Sequence, residues 1–273
     1  MKVWLNGVIQ EARRARIAPD DRGLLLADGI YETLRAQAGR PLRIAAHLAR
    51  LRTGADTLGL DLPAVDIEAA MTALLTANAV SDGSLRLTLT RGPGPRGVAP
   101  PETVTPTLLI TCAHVAPSPA PARCMVATIT RRNAQSPLSR IKALAAADSV
   151  LARIEASRVG ADDAILLNTE GSVAEATAAN LFAVLDGRLV TPPVADGCLP
   201  GVVRADLLRQ GAVEMSLTQQ DLARASEMFL SSALGLRSIV HLEGRAGAPL
   251  VTDAAERLAA HLFPPRQAWQ EAP

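Results

Sequence analysis

The stretch APSPAPA at 116–122 constrains this chain more than any other. Alternating prolines hold a backbone extended, so neither a helix nor a central strand runs through it. It predicts a linker between a domain at 1–115 and a larger one at 123–273, a size that fits two modest domains. A second breaker-rich run, GPGPRGVAPPETVTP at 92–106, reads as a long loop within the first domain. The 28 basic and 27 acidic residues nearly cancel, which argues against a nucleic-acid binder, since that function depends on phosphate neutralisation. No run approaches the roughly 18 apolar residues of a membrane helix. The start, MKVWLNGVIQEARR, turns polar too soon for a signal peptide. Cys112, Cys124 and Cys198 show no CxxC spacing and form an odd set, which fits a cytoplasmic protein without a disulfide or zinc framework.

Periodicity supplies the elements. Asn6-Gly7 between two apolar runs predicts a hairpin. Residues 45–59 place Leu48, Leu51, Ala55 and Leu58 at helical spacing before a glycine, and 66–79 is a second amphipathic helix. LRLTLT (85–90) and TLLITC (107–112) read as strands. Beyond the linker, the pattern predicts strands at 125–130, 163–168 and 227–233 and a helix from about 143 to 159. A hairpin turning at Asp186-Gly187 and a helix at 202–211 after Pro200-Gly201 complete the reading. The fold class is α+β, with a mostly antiparallel, barrel-like or sandwich-like second domain.

Of the 28 basic residues only two are lysine, Lys2 and Lys142. Arginine serves wherever a solvated positive charge suffices. Lysine alone can lose its proton and attack a carbonyl as a neutral amine, so Lys142 is a candidate Schiff-base residue. Glu175 stands in the Ala/Val-rich run SVAEATAAN, where a carboxylate needs a cation or hydrogen-bond donors. In LPGVV (199–203) a glycine precedes a helix, so the backbone N–H groups of Val202 and Val203 form an anion site, and Arg50 offers a second anion contact. Amine, carboxylate and anion site together suit pyridoxal phosphate. GPGPRG at 92–97 matches the dinucleotide pattern in letters only: two positions are proline, and no helix follows. The four histidines lack metal spacing, no metal is expected, and His47 reads as a structural histidine.

These residues lie in longer motifs that resemble the fold-type IV pyridoxal-phosphate enzymes, among them branched-chain aminotransferase, D-amino-acid aminotransferase and 4-amino-4-deoxychorismate lyase. The resemblance runs through WLNG (4–7), DDRGLLLADGIYETLR (20–35), HLARL (47–51), TRGPGPRG (90–97), IK (141–142), EGSVAEATAANLF (170–182) and LPGVVR (199–204). It implies a small N-terminal α/β domain, a larger barrel-like domain, cofactor between them, and a homodimer acting on a small-molecule amino substrate. It also implies that Lys142 binds the cofactor and shuttles the proton, and that Glu175 pairs with the ring nitrogen. Arg50, Val202 and Val203 would take the phosphate, with Ser232 and Ala233 also at the cofactor. Tyr31, Thr33 and Arg96 would face substrate. Thr33, the loop GPGPRGV and SSALG (231–235) resemble the lyase, so release of pyruvate and 4-aminobenzoate is the activity implied. Ala145, Val98 and the pair Tyr31-Glu32 resemble it less and keep open an aminotransferase acting on D-amino acids, branched-chain amino acids or (R)-amines. A non-catalytic cofactor-binding protein is a third reading, against which Lys142, Glu175 and Arg50 together argue.

Overall fold

In the computed structural model, which describes residues 1–114, 120–246 and 250–263, Asn6 and Gly7 take φ of 47° and 96°. They join β1 (Lys2–Leu5) to β2 (Val8–Glu11), the mirror-image turn that matches strand twist. The chain continues through α1 (Arg22–Leu26), β3 (Gly29–Gln37), β4 (Arg40–Pro41), α2 (Ile44–Leu58), α3 (Ile67–Ala77), β5 (Gly83–Thr90) and β6 (Thr107–His114). Helix α2 stops where Gly59 turns left-handed, and Asp66 caps α3 by accepting from the Ala69 N–H at 2.9 Å. The six strands form one antiparallel sheet in the order β2-β1-β6-β5-β3-β4. Strict alternation gives it an apolar face: Ile30, Leu34, Leu85, Leu87, Leu89, Leu108 and Ile110 pack against Leu51 and Ala55 of α2 and Met71, Leu74 and Leu75 of α3. Each such leucine contributes about 1.5–3 kcal/mol on leaving water.

Contacts divide the chain into two units. Met1–Ala116 with Ile141–Ala145 forms the first, and Pro117–Arg140 with Ala146–Pro273 the second. Of the linker expected at 116–122, residues 116–119 lie outside the described residues.

The second unit contains β7 (Ala122–Val126), α4 (Ala147–Arg158), β8 (Asp163–Leu167), β9 (Val173–Ala176), β10 (Asn180–Leu185) and β11 (Arg188–Thr191). After them come α5 (Val202–Arg209), β12 (Val213–Glu214), α6 (Gln219–Arg224), β13 (Glu227–Ser232), β14 (Gly235–Leu242) and α7 (Asp253–Leu262). Its sheet runs β12-β11-β10-β13-β14-β7-β8-β9. The pairs β11–β12, β14–β7 and β7–β8 are parallel and the other four antiparallel, so the sheet is mixed with an antiparallel majority. Edge strand β9 passes into β10 through the turn at 177–179, closed by the Ala176 N–H on the Ala179 carbonyl at 2.8 Å. That turn returns the sheet's edge to its middle, and the sheet curls into a half-barrel. Phe182 and Phe229, paired across β10 and β13, stack at 5.2 Å in its wall.

Two local expectations are corrected. The strand expected at 125–130 ends at Val126, because Thr128 gives its N–H, and Ile129 its own, to the Glu155 carboxylate of α4. The helix expected from 143 begins at Ala147, because residues 142–144 bond to β3 instead: the Tyr31 N–H donates to Lys142 O (2.9 Å) and the Leu144 N–H to Gly29 O (3.0 Å).

Candidate functional site

The first unit builds its candidate site on the face of β3 turned away from the core. Tyr31, Thr33 and Arg35 alternate there with core-facing Ile30, Glu32 and Leu34. Across the ladder Tyr31 opposes Thr88, and Thr33 opposes Arg86. Ile141 is buried in the first unit's core, and its neighbour Lys142 lies alongside the start of β3. Lys142 Nζ lies 4.5 Å from the Tyr31 ring centroid, and the Arg86 guanidinium carbon lies 3.9 Å from the same ring. The ring attracts a positive charge over its face without accepting a conventional hydrogen bond. On this face Thr33, Ser84, Thr88 and Thr111 carry hydroxyls, while Leu109 opposite Thr88 and Ala113 opposite Ser84 do not, so the wall is polar next to Tyr31 and turns apolar toward β6.

On the opposite face Glu32, whose side chain is 2% exposed, takes two bonds from Arg50: Nε to Oε1 at 2.8 Å and Nη2 to Oε2 at 2.6 Å. His47 Nδ1 reaches Oε2 at 2.7 Å. The structural reading of His47 is thus given a specific partner. Burial pushes the Glu32 carboxyl up, but the hydrogen bonds and charges of Arg50 and His47 outweigh that and hold it below its ordinary value. Arg96 is exposed on the 92–98 loop, itself part of no strand or helix.

In the second unit Glu175 stands in the fully buried strand β9. Arg132 Nε lies 3.1 Å from its Oε1, while the Leu199 N–H (3.0 Å) and Asn180 Nδ2 (3.4 Å) donate to Oε2. Asn180 Nδ2 also donates to Leu199 O at 2.8 Å, which ties the carboxylate to the turn before α5. Gly201 caps α5 without a side-chain hydrogen bond. The N–H groups of Val202 and Val203 therefore have no acceptor within the helix and mark its positive end. Ser231, 2% exposed, pairs with Asn180 across the sheet and shares its face, and its buried hydroxyl has no hydrogen-bond partner among the described residues. Ser232 stands in the β13–β14 turn, its hydroxyl accepting from the Leu234 N–H at 3.2 Å, with Ala233 between them. The structure thus joins Glu175, Val202 and Val203 into one neighbourhood of the second unit. Lys142, Tyr31 and Thr33 form another in the first.

Sequence reasoning missed Arg86, Arg132, Asn180 and Ser231. Arg132 was implied only as the cation that a buried Glu175 demands. Arg86 becomes visible only once the β3–β5 register is known.

The chain matches the family model for class IV aminotransferases over residues 29–242. It is 33% identical over 258 residues, 90% of this chain and 89% of the other, to a Methanocaldococcus jannaschii protein provisionally named branched-chain-amino-acid aminotransferase. It is 29% identical to the D-alanine aminotransferase of Bacillus licheniformis, over 85% of this chain and 84% of that one. Among solved structures, the 4-amino-4-deoxychorismate lyase of Pseudomonas aeruginosa is similar with a TM-score of 0.81 and 30% identity, over 96% of this chain and 99% of that one.

Proposed function

Because the chain belongs to the class IV aminotransferase family, we propose that it is a pyridoxal-phosphate enzyme that splits 4-amino-4-deoxychorismate into 4-aminobenzoate and pyruvate. The observation that carries this reading is the polar wall beside Lys142. A branched-chain substrate needs an apolar pocket for its side chain, whereas Thr33, Arg86 and Thr88 suit a substrate rich in carboxylates. The similarity to the Pseudomonas lyase and the Thr33, GPGPRGV and SSALG motifs support the same reading.

The residues present fit the cofactor. The uncapped start of α5 with Val202 and Val203 offers backbone donors for a phosphate, and the unpartnered Ser231 hydroxyl on the neighbouring strand offers another polar contact. Arg50, held by Glu32, adds a cation for the phosphate. Ser232 and Ala233 belong to the same binding set, and Glu175, fixed by Arg132 and two N–H donors, accepts from the ring nitrogen. When bound, pyridoxal phosphate supplies an aldehyde for amines and a ring that withdraws electrons from the substrate carbon. Lys142 in its neutral form removes the proton from C4 of the substrate at Nζ. The Tyr31 ring, its centroid 4.5 Å from Nζ, flanks that amine. Arg86 and Arg96 hold carboxylates, and Thr33 contacts the substrate. Loss of the enolpyruvyl group, with the proton returned to its methylene carbon, balances the reaction without water or oxidant.

A second reading, an aminotransferase for D-amino acids, is favoured by the D-alanine aminotransferase relative. It uses the same Lys142 to return the proton elsewhere. We place the enzyme in the cytoplasm, in keeping with its three free cysteines. We also propose that it works as a homodimer, since Leu24, Leu25 and Leu26 of α1 stand 70%, 53% and 43% exposed.

The test compares wild-type protein with Lys142→Ala. Wild type should show the visible band of bound cofactor and release 4-aminobenzoate from aminodeoxychorismate, with turnover falling by about a thousandfold or more in the variant. A wild-type band bleached by D-alanine, with no 4-aminobenzoate formed, would establish the aminotransferase instead. Full activity in Lys142→Ala would overturn both.

A further inference from the structure

Arg22 opens α1 with its side chain only 3% exposed. Its Nε donates to Asp28 Oδ2 at 2.8 Å, and Nη1 and Nη2 donate to the carbonyls of Gly97 and Val98 at 3.0 Å each. Its stem lies against Gly94, where a Cβ would sit 2.9 Å from Arg22 Cδ. The backbone seals the same contact, since the Arg22 N–H donates to Gly92 O at 2.9 Å and the Gly94 N–H to Asp20 O at 3.2 Å. The loop 92–98 is therefore wrapped around one buried side chain. Asp28 also takes Arg91 Nε at 2.8 Å and Nη2 at 3.1 Å. Arg91 in turn holds the carbonyls of Gly59 and Leu58, at the end of the helix that carries Arg50, at 2.9 and 2.7 Å.

A buried guanidinium is costly unless its donors are matched, and an exposed Gly/Pro loop needs no such anchor merely to close. What the anchor fixes is the backbone on both sides of Arg96, whose side chain is exposed while Gly94, Gly97 and Val98 are held. We propose that Arg22 is a positioning residue that presents Arg96 as a rigid receptor for a substrate carboxylate, with Asp28 as its counter-charge. The proposal rests on the reading of Arg96 given above. In this arrangement the loop pays little conformational entropy on binding, so its cation acts mainly on substrate affinity.

The test uses the holoenzymes of wild type, Arg22→Gln, Arg96→Gln and the double variant, with Gly94→Ala as a milder change to the same seat. Trypsin cleavage after Arg96 should be at least about tenfold faster in Arg22→Gln, and the KM for aminodeoxychorismate should rise about tenfold with kcat largely kept. Arg96→Gln should raise KM similarly, and the double variant should be no worse than Arg96→Gln alone. If Arg22→Gln does not fold, Gly94→Ala should show the same two changes to a smaller degree. Arg96→Gln raising KM while Arg22→Gln leaves cleavage and KM unchanged would overturn the anchor alone. Additive KM effects would overturn it as well. An unchanged KM in Arg96→Gln would remove the substrate role of Arg96, and the anchor's purpose with it.

Discussion

Glu32 occupies a position that alternation assigns to the core, between Ile30 and Leu34, yet it is a carboxylate. It is tolerated because Arg50 and His47 match it from α2. Since its folded pKa lies below the ordinary 4.5, the stability it contributes is present above that value and is lost as pH falls through the lowered one. Glu32→Gln should therefore lower the melting temperature at neutral pH and flatten the acid side of the stability profile, measured by thermal unfolding down to about pH 3. An unchanged profile would show that the cluster contributes nothing net. At this scale Lys142 stood out as one of only two lysines in an arginine-rich chain, and Glu175 as an acid stranded among alanines and valines. Their partners were not. Arg132 and Arg86 are ordinary arginines in sequence, and only tertiary pairing separates them from the rest.

Turns and caps carried the elements. Asn6-Gly7 and Asp186-Gly187 form the hairpins their dipeptides predict, with Asp186 at φ 50°. The misjudged boundaries, at Val126 and Ala147, arose where backbone groups bond to Glu155 or to β3 rather than to a local neighbour. Periodicity cannot register such competition. At the start of α5 the required residue has a steric reason: a Cβ on Gly201 would lie 2.0 Å from Asn180 Oδ1. Gly201→Ala should displace Asn180 from Leu199 and Glu175, destabilise the protein by about 1–3 kcal/mol and weaken pyridoxal-phosphate binding. Calorimetry and fluorescence titration of the cofactor would measure the two effects. Normal cofactor affinity would mean that the α5 start takes no part in holding it.

Across the whole molecule, the chain leaves the first unit, returns to it for Ile141–Ala145, and leaves again. Proline content gives no sign of the return. The return is anchored by Ile141, 4% exposed in the first unit's core, and by the bonds of Lys142 and Leu144 to β3. Ile141→Ala should cost about 2–4 kcal/mol and raise amide exchange at Tyr31 and Leu144 together. Exchange measured by mass spectrometry that rose at neither site would show that the segment is held by something else. The return has a consequence for how such a protein can change over generations. A recombination that exchanged everything after the proline-rich stretch would also exchange the segment that completes the first unit's core. The incoming lysine would arrive on a segment bred to fit another host, so the two halves are inherited well only together, and new specificities are reached more readily by altering loops than by trading halves.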